Sequence, residues 1–125
     1  MYIEWGGIMK INKELMKGST SILILTLLEK QDMYGYQITQ ELKKRSENAF
    51  EMKEGTLYPT LHALEKDEAV ESYWYDTEEG RRRKYYKITE TGREMLTHKQ
   101  KEWSTFMKAM NSIIIGGEDY GLQHT

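Results

Sequence analysis

Apolar positions fall into five groups of different spacing, and the spacing predicts three helices, a β-hairpin and one long helix, in that order. Ile22 to Leu28 is apolar everywhere except Thr26 and follows Ser19, Thr20 and Ser21, residue types that start helices; such continuity implies a first helix buried on several sides. Asn12 can cap an earlier turn, and Glu29 to Met33 reads as a polar turn. Tyr34, Ile38 and Leu42 stand at i, i+4 and i+8, one face of a second helix that opens at Tyr34-Gly35-Tyr36 and ends near Ser46. In the segment from Lys53 to Lys66, Leu57, Leu61 and Leu64 form a core stripe. Thr56, Pro59, His62, Ala63 and Lys66 then project outward, flanked by Tyr58 and Thr60. That outer face is short, small and polar, as a helix entering a groove requires, and a plain core helix with a solvated face is the alternative for this segment alone. Pro59, the sole proline, belongs near the start of this helix, whether Thr56 caps it or it begins at Lys53.

Val70 to Tyr75 alternates as a strand, Asp76 to Gly80 supplies a turn, and Lys84 to Ile88 returns as the antiparallel partner. Arg81-Arg82-Arg83-Lys84 then forms a basic hairpin tip. After Thr89, which can cap, Leu96, Trp103 and Met110 recur every seven residues, with Lys99, Phe106, Met107, Ile113 and Ile114 on the same side. A helix from Glu90 to about Ile115 is on the order of 39 Å long, more than a small domain can cover. A second copy related by a two-fold axis is the expected cover, placing Leu96, Trp103, Phe106, Met110, Ile113 and Ile114 in a dimer interface; folding back on its own domain is the alternative. The order of elements makes the chain mainly α with a small β-hairpin: a winged helix-turn-helix plus a long C-terminal dimerisation helix.

At 125 residues, with 18 Lys and Arg against 20 Asp and Glu, overall charge does not announce a partner. Its distribution does. Lys43, Lys44, Arg45, Lys53, Lys66 and the Arg81 to Lys84 run lie in the first two thirds, and acids gather at Glu65 to Glu71 and Asp76 to Glu79. Four adjacent cations repel one another until a polyanion, usually phosphate, supplies counter-charge. Cysteine is absent, excluding disulfides, thiol catalysis and cysteine-ligated zinc, and His62, His98 and His124 lack helical pair spacing, so no metal or cofactor is expected. The longest apolar run is too short to span a bilayer and no signal-peptide pattern precedes it, so a cytoplasmic location is expected. Residues 1–10 read as a loosely ordered extension, 11–89 as the DNA-binding domain, 90–115 as the dimerisation helix and 116–125 as a flexible tail.

Lys17-Gly18-Ser19-Thr20, Tyr34-Gly35-Tyr36-Gln37-Ile38, the stretch Gly55 to Lys66 containing Gly55-Thr56-Leu57-Tyr58-Pro59, and Arg83 to Gly92 containing Tyr85-Tyr86-Lys87-Ile88-Thr89 closely resemble the PadR family of bacterial transcriptional regulators. The resemblance runs from about Ile11 to Ile115. It implies a winged helix-turn-helix that binds a palindromic operator as a homodimer, usually as a repressor. It also implies the short-tailed branch, whose single long helix packs against helix 1 of the partner. One departure is Asp67-Glu68-Ala69-Val70, which lacks the expected glycine after the third helix and predicts a less sharp turn.

The expected division of labour sets Thr56, Tyr58, Thr60, His62 and Ala63 against base edges or the sugar-phosphate wall. Lys53, Lys66, Arg82, Arg83 and Lys84 neutralise phosphates, the arginines reaching a narrow minor groove, and Tyr36 adds a phosphate hydrogen bond. Relatives that bind phenolic acids or planar drugs imply a small aromatic effector, for which Trp103 with Ile22, Leu96 and Met107 is the candidate site; Trp103 as plain dimer core is the alternative. Trp5 and Trp74 are poorer candidates. No convergent acid, base or nucleophile group suggests an enzyme, and no aromatic platform suggests single-stranded recognition. A winged-helix interaction module that does not read DNA is the competing class, with Glu54 and Glu65 on the third helix as its hints.

Overall fold

The apolar run becomes the centre of the molecule: α1 (Thr20–Lys30) buries Ile24, Leu25, Leu27 and Leu28, and the other elements pack around it. Its one polar interruption is satisfied locally, since the Thr26 hydroxyl donates to the Ile22 carbonyl at 2.6 Å. The computed structural model describes residues 18–116. The Asn12 cap, the N-terminal extension and the tail after Gly116 lie outside the described residues.

The connection after α1 is shorter than expected. Met33 is not part of a polar turn; it is buried, and β1 (Met33–Tyr34) pairs antiparallel with the second hairpin strand, Met33 opposite Tyr86 and Tyr34 opposite Tyr85. Tyr34 therefore precedes α2 (Gly35–Arg45) instead of standing on its core stripe, which consists of Ile38 and Leu42. The chain then turns through Glu47 and Asn48, both with positive φ. Helix α3 (Glu54–Lys66) begins after Lys53, not at Thr56, and buries Leu57, Leu61 and Leu64, each of which contributes about 1.5–3 kcal/mol on burial.

The turn after α3 is sharp without a glycine. Glu68 adopts φ 61°, Ala69 N–H donates to the Leu64 carbonyl at 2.8 Å and Glu68 N–H to that of Glu65 at 2.9 Å, the paired bonds of a Schellman cap. Strands β2 (Val70–Asp76) and β3 (Arg82–Ile88) complete a three-stranded antiparallel sheet of order β1-β3-β2. The hairpin register, Val70 opposite Ile88 through Asp76 opposite Arg82, puts Val70, Tyr86 and Ile88 into the core.

Helix α4 (Glu90–Ile114) starts at a crowded junction. Thr89 caps it, accepting from Gly92 N–H at 2.9 Å while its hydroxyl donates to the Glu68 carbonyl at 2.6 Å and its N–H to that of Ala69 at 3.0 Å. A Cβ on Gly92 would collide with the Ala69 carbonyl oxygen and crowd Ile88. Leu96 is 1% exposed in the same core as α1, α2 and α3.

Two substitutions at this junction should move stability in opposite directions, as read by urea denaturation. Gly92→Ala should lower the unfolding free energy by about 1–3 kcal/mol through overpacking against backbone. Glu68→Gly should raise it by about 0.5–1 kcal/mol by relieving the left-handed backbone.

Candidate nucleic-acid interface

With its leucines sealed inward, α3 leaves Gly55, Thr56, Pro59, His62, Ala63 and Lys66 exposed on the far side. Pro59 sits within the helix and has no N–H, so the Gly55 carbonyl loses its i+4 helical donor. The Thr60 hydroxyl spends its proton on the Thr56 carbonyl at 2.8 Å. It can then only accept, which suits the exocyclic amino group of adenine or cytosine.

Tyr58 goes elsewhere. It is half-buried and its hydroxyl end occupies the space that a Cβ on Gly35 would take, so it welds α3 to the start of α2 and does not stand on the outer face. Tyr36, one residue further along α2, is 65% exposed. Glu65 turns to the sheet and accepts from the Ser72 hydroxyl at 2.9 Å; only Glu54 leaves an acid at the exposed start of α3, where it complements the helix dipole.

The hairpin tip is not basic. Thr77 and Arg81 close the turn, with Thr77 N–H donating to the Arg81 carbonyl at 2.7 Å and Arg81 N–H to the Thr77 hydroxyl at 3.1 Å, and Gly80 takes φ 84°. Glu78 and Glu79 occupy the exposed tip, while Arg82, Arg83 and Lys84 belong to β3 and alternate between its faces. Arg82 is exposed, 3.8 Å from the Asp76 carboxylate and 5.2 Å from the Trp74 ring centroid. Lys84 is half-buried with its ammonium 5.8 Å from the Tyr86 ring. Arg83, on the opposite face, stacks its guanidinium 4.3 Å over Tyr34, a contact worth about 0.5–2 kcal/mol.

That outer sheet face carries an aromatic cluster that the spacing of residues along the chain did not reveal. Tyr85 is the hub: Tyr73 stacks on it at 5.7 Å, and Tyr34 and Tyr75 meet it edge-on at 5.4 and 5.6 Å. Tyr73 in turn donates to the Asp32 carboxylate at 2.6 Å. The alternation of Tyr73 and Tyr75 was a readable signal, but it gains meaning only from the register that sets Tyr85 opposite Tyr73.

Along α4 the apolar stripe divides. Leu96, expected at both the dimer seam and the effector site, is internal to its own chain, and Ile22 packs against the same core. Trp103 (43% exposed), Phe106, Met107, Ile113 and Ile114 are exposed and Met110 partly so, with Trp103 and Phe106 rings 5.7 Å apart. No helix among the described residues is long and apolar enough to cross a membrane.

A family model, the transcriptional regulator PadR-like family, matches residues 24–98. The chain is 30% identical over 108 residues to a transcriptional regulator of Mycobacterium tuberculosis, covering 86% of this chain and 94% of that one. Its fold matches a transcriptional regulator from Clostridium thermocellum at TM-score 0.76 and 33% identity, covering 82% of this chain and 99% of that one. A PadR family transcription regulator from Clostridium difficile superposes at TM-score 0.66 and 40% identity, covering 75% and 96% respectively.

The Asp32 hydrogen bond, with some desolvation and the carboxylate charge, pushes the Tyr73 phenol up to about 12. The folded state therefore holds this proton more tightly than the unfolded state, so the contribution is present below the ordinary tyrosine value of 10.0 and is lost as pH rises towards 12. Burial pushes the Tyr86 phenol up as well, so an alkaline titration followed by tyrosinate absorbance should show Tyr73 and Tyr86 ionising late, and Asp32→Asn should move Tyr73 to lower pH while leaving Tyr86 in place.

Proposed function

The chain belongs to the transcriptional regulator PadR-like family, and from that premise we propose that it is a repressor that binds a palindromic operator as a homodimer. The observation that carries this reading is the outer face of α3, small, polar and exposed on a helix locked by Leu57, Leu61 and Leu64. Such a surface lets the helix backbone lie close to base edges in a major groove.

Thr56, Thr60, His62 and Ala63 read the bases in this scheme. Lys53 and Lys66 at the two ends of α3, Arg82 and Lys84 on the wing, and the Tyr36 hydroxyl contact the sugar-phosphate backbone. The acidic tip at Glu78 and Glu79 favours a wing that lies along the backbone with its strand cations, not one inserted tip-first into the minor groove.

A second copy covers the distal half of α4. Trp103, Phe106, Met107, Met110, Ile113 and Ile114 leave an exposed or half-exposed apolar stripe along one side of α4, and a two-fold axis that covers it also accounts for an operator with two half-sites. The domain limits follow: winged helix-turn-helix to Thr89, then the dimerisation helix. A planar aromatic effector, stacking on Trp103 beside Met107 and the accessible edge of Ile22, would release the operator by changing the angle between protomers. Repression then consists of occupying a promoter, and no step requires catalysis or a cofactor.

The test is a fluorescence-anisotropy titration against the DNA upstream of the chain's own gene, in competition with scrambled duplex across a salt series. A preference of about a thousandfold supports an operator-reading regulator. Equal binding to both duplexes points to a backbone-tracking protein or a different operator, and no binding at low salt favours the winged-helix interaction module. Arg82→Ala with Lys84→Ala should weaken all duplexes alike and flatten the salt slope by about one for each phosphate no longer neutralised. His62→Ala or Thr56→Ala should change which sequence is preferred. Ile113→Glu with Phe106→Glu should yield a monomer in analytical ultracentrifugation without altering the helical circular dichroism.

A further inference from the structure

Arg83 stands apart from the cations beside it. Strand alternation turns it to the sheet face opposite Arg82 and Lys84, where Tyr75 is its cross-strand partner. There the guanidinium carbon sits over the Tyr34 ring, 4.3 Å from its centroid, and the residue is half-buried. Tyr34 is the residue that hands β1 over to α2, with extended backbone at ψ 167°. The next residue, Gly35, is the one against which Tyr58 of α3 packs. Wing, α2 and α3 thus meet along one short covalent and stacked path: Arg83 on Tyr34, Tyr34 joined to Gly35, Gly35 against Tyr58.

The wing has few other restraints at that distance from the core. Beyond Tyr85 its residues are exposed or half-exposed, and β1 pairs with β3 only at Tyr85 and Tyr86. We infer that Arg83 is a positioning residue, which fixes the angle of the wing to the recognition helix by clasping Tyr34, and does not neutralise a phosphate. This rests on the operator-binding reading above. The tyrosine cluster is the other half of the clasp, because Tyr85 packs on the same Tyr34 ring and Tyr73 anchors to Asp32 in the α1–β1 connection. A cation used in this way sets how well α3 and the wing engage DNA at the same time.

A double-mutant cycle on operator affinity separates this role from a phosphate contact. Arg83→Ala and Tyr34→Leu should each lower operator affinity about tenfold, and the double variant should fall little further, because each single change already opens the clasp. Affinity for scrambled duplex and the salt slope should stay near wild type in all three, whereas Arg82→Ala flattens the slope. Tyr34→Phe, which keeps the ring face, should bind as wild type. A slope that falls by about one per wing in Arg83→Ala overturns the inference, as does a Tyr34→Leu variant with unchanged affinity. Weakening shared equally by operator and scrambled duplex also overturns it, since that is what a smaller folded fraction produces. Wild-type protein that shows no operator preference sinks the operator reading instead. The clasp is then tested by the same cycle in thermal unfolding, where non-additive shifts support it and additive shifts overturn it.

Discussion

Helix α4 lies against the α3–β2 turn only because Gly92 has no side chain. At that contact the Ala69 carbonyl sits where a Cβ would be, and Thr89 ties three backbones together: the turn at Glu68 and Ala69, the end of β3, and the first turn of α4. Three parts of the fold converge on these few atoms, namely the C-terminal end of α3, the base of the β2–β3 hairpin and the root of the long helix. The core beneath is continuous with the junction, for Val70, Ile88 and Leu96 all belong to it. Shifts in one part must therefore be accommodated by the other two, as expected for interiors packed close to crystal density.

Much of this was legible in the chain itself. The stripes at Ile38 and Leu42, at Leu57, Leu61 and Leu64, and the cap at Thr89 are local signals, and local hydrogen bonding and burial honour them. What was misread depended on partners distant in sequence. Met33 looks like the end of a polar turn until Tyr86 is placed opposite it. Leu96 has the spacing of a seam residue, yet α1 reaches the first half of α4 and takes it into the core, leaving only the distal half uncovered. The Glu68 turn defies composition: a glutamate bears the left-handed backbone because two good cap hydrogen bonds hold it there.

The basic run is the most instructive case. As a string, Arg81 to Lys84 is a patch of like charge; as a strand it becomes an alternation, with Arg82 and Lys84 on one side and Arg83 on the other. Pairing Thr77 with Arg81 shifts the loop by a few residues, and that shift brings glutamates to the tip and cations onto the rigid stem. The same register assembles four tyrosines into a second small packed face outside the main core. Side-chain identity proposed the chemistry, but register decided which groups share a face.

The length of α4 has a mechanical meaning. Its 25 residues form a rod of roughly 37 Å rooted at the Gly92 junction. A tilt of about 5° at the root carries the far end through about 3 Å, close to the roughly 3.4 Å rise of one base-pair step. Small strains at a crowded glycine are thus magnified by leverage into a displacement on the scale by which DNA itself is indexed. The stiffness of that root, set by the Gly92 junction together with the packing of Leu96 in the core, governs how faithfully two such chains joined at their far ends would keep their spacing.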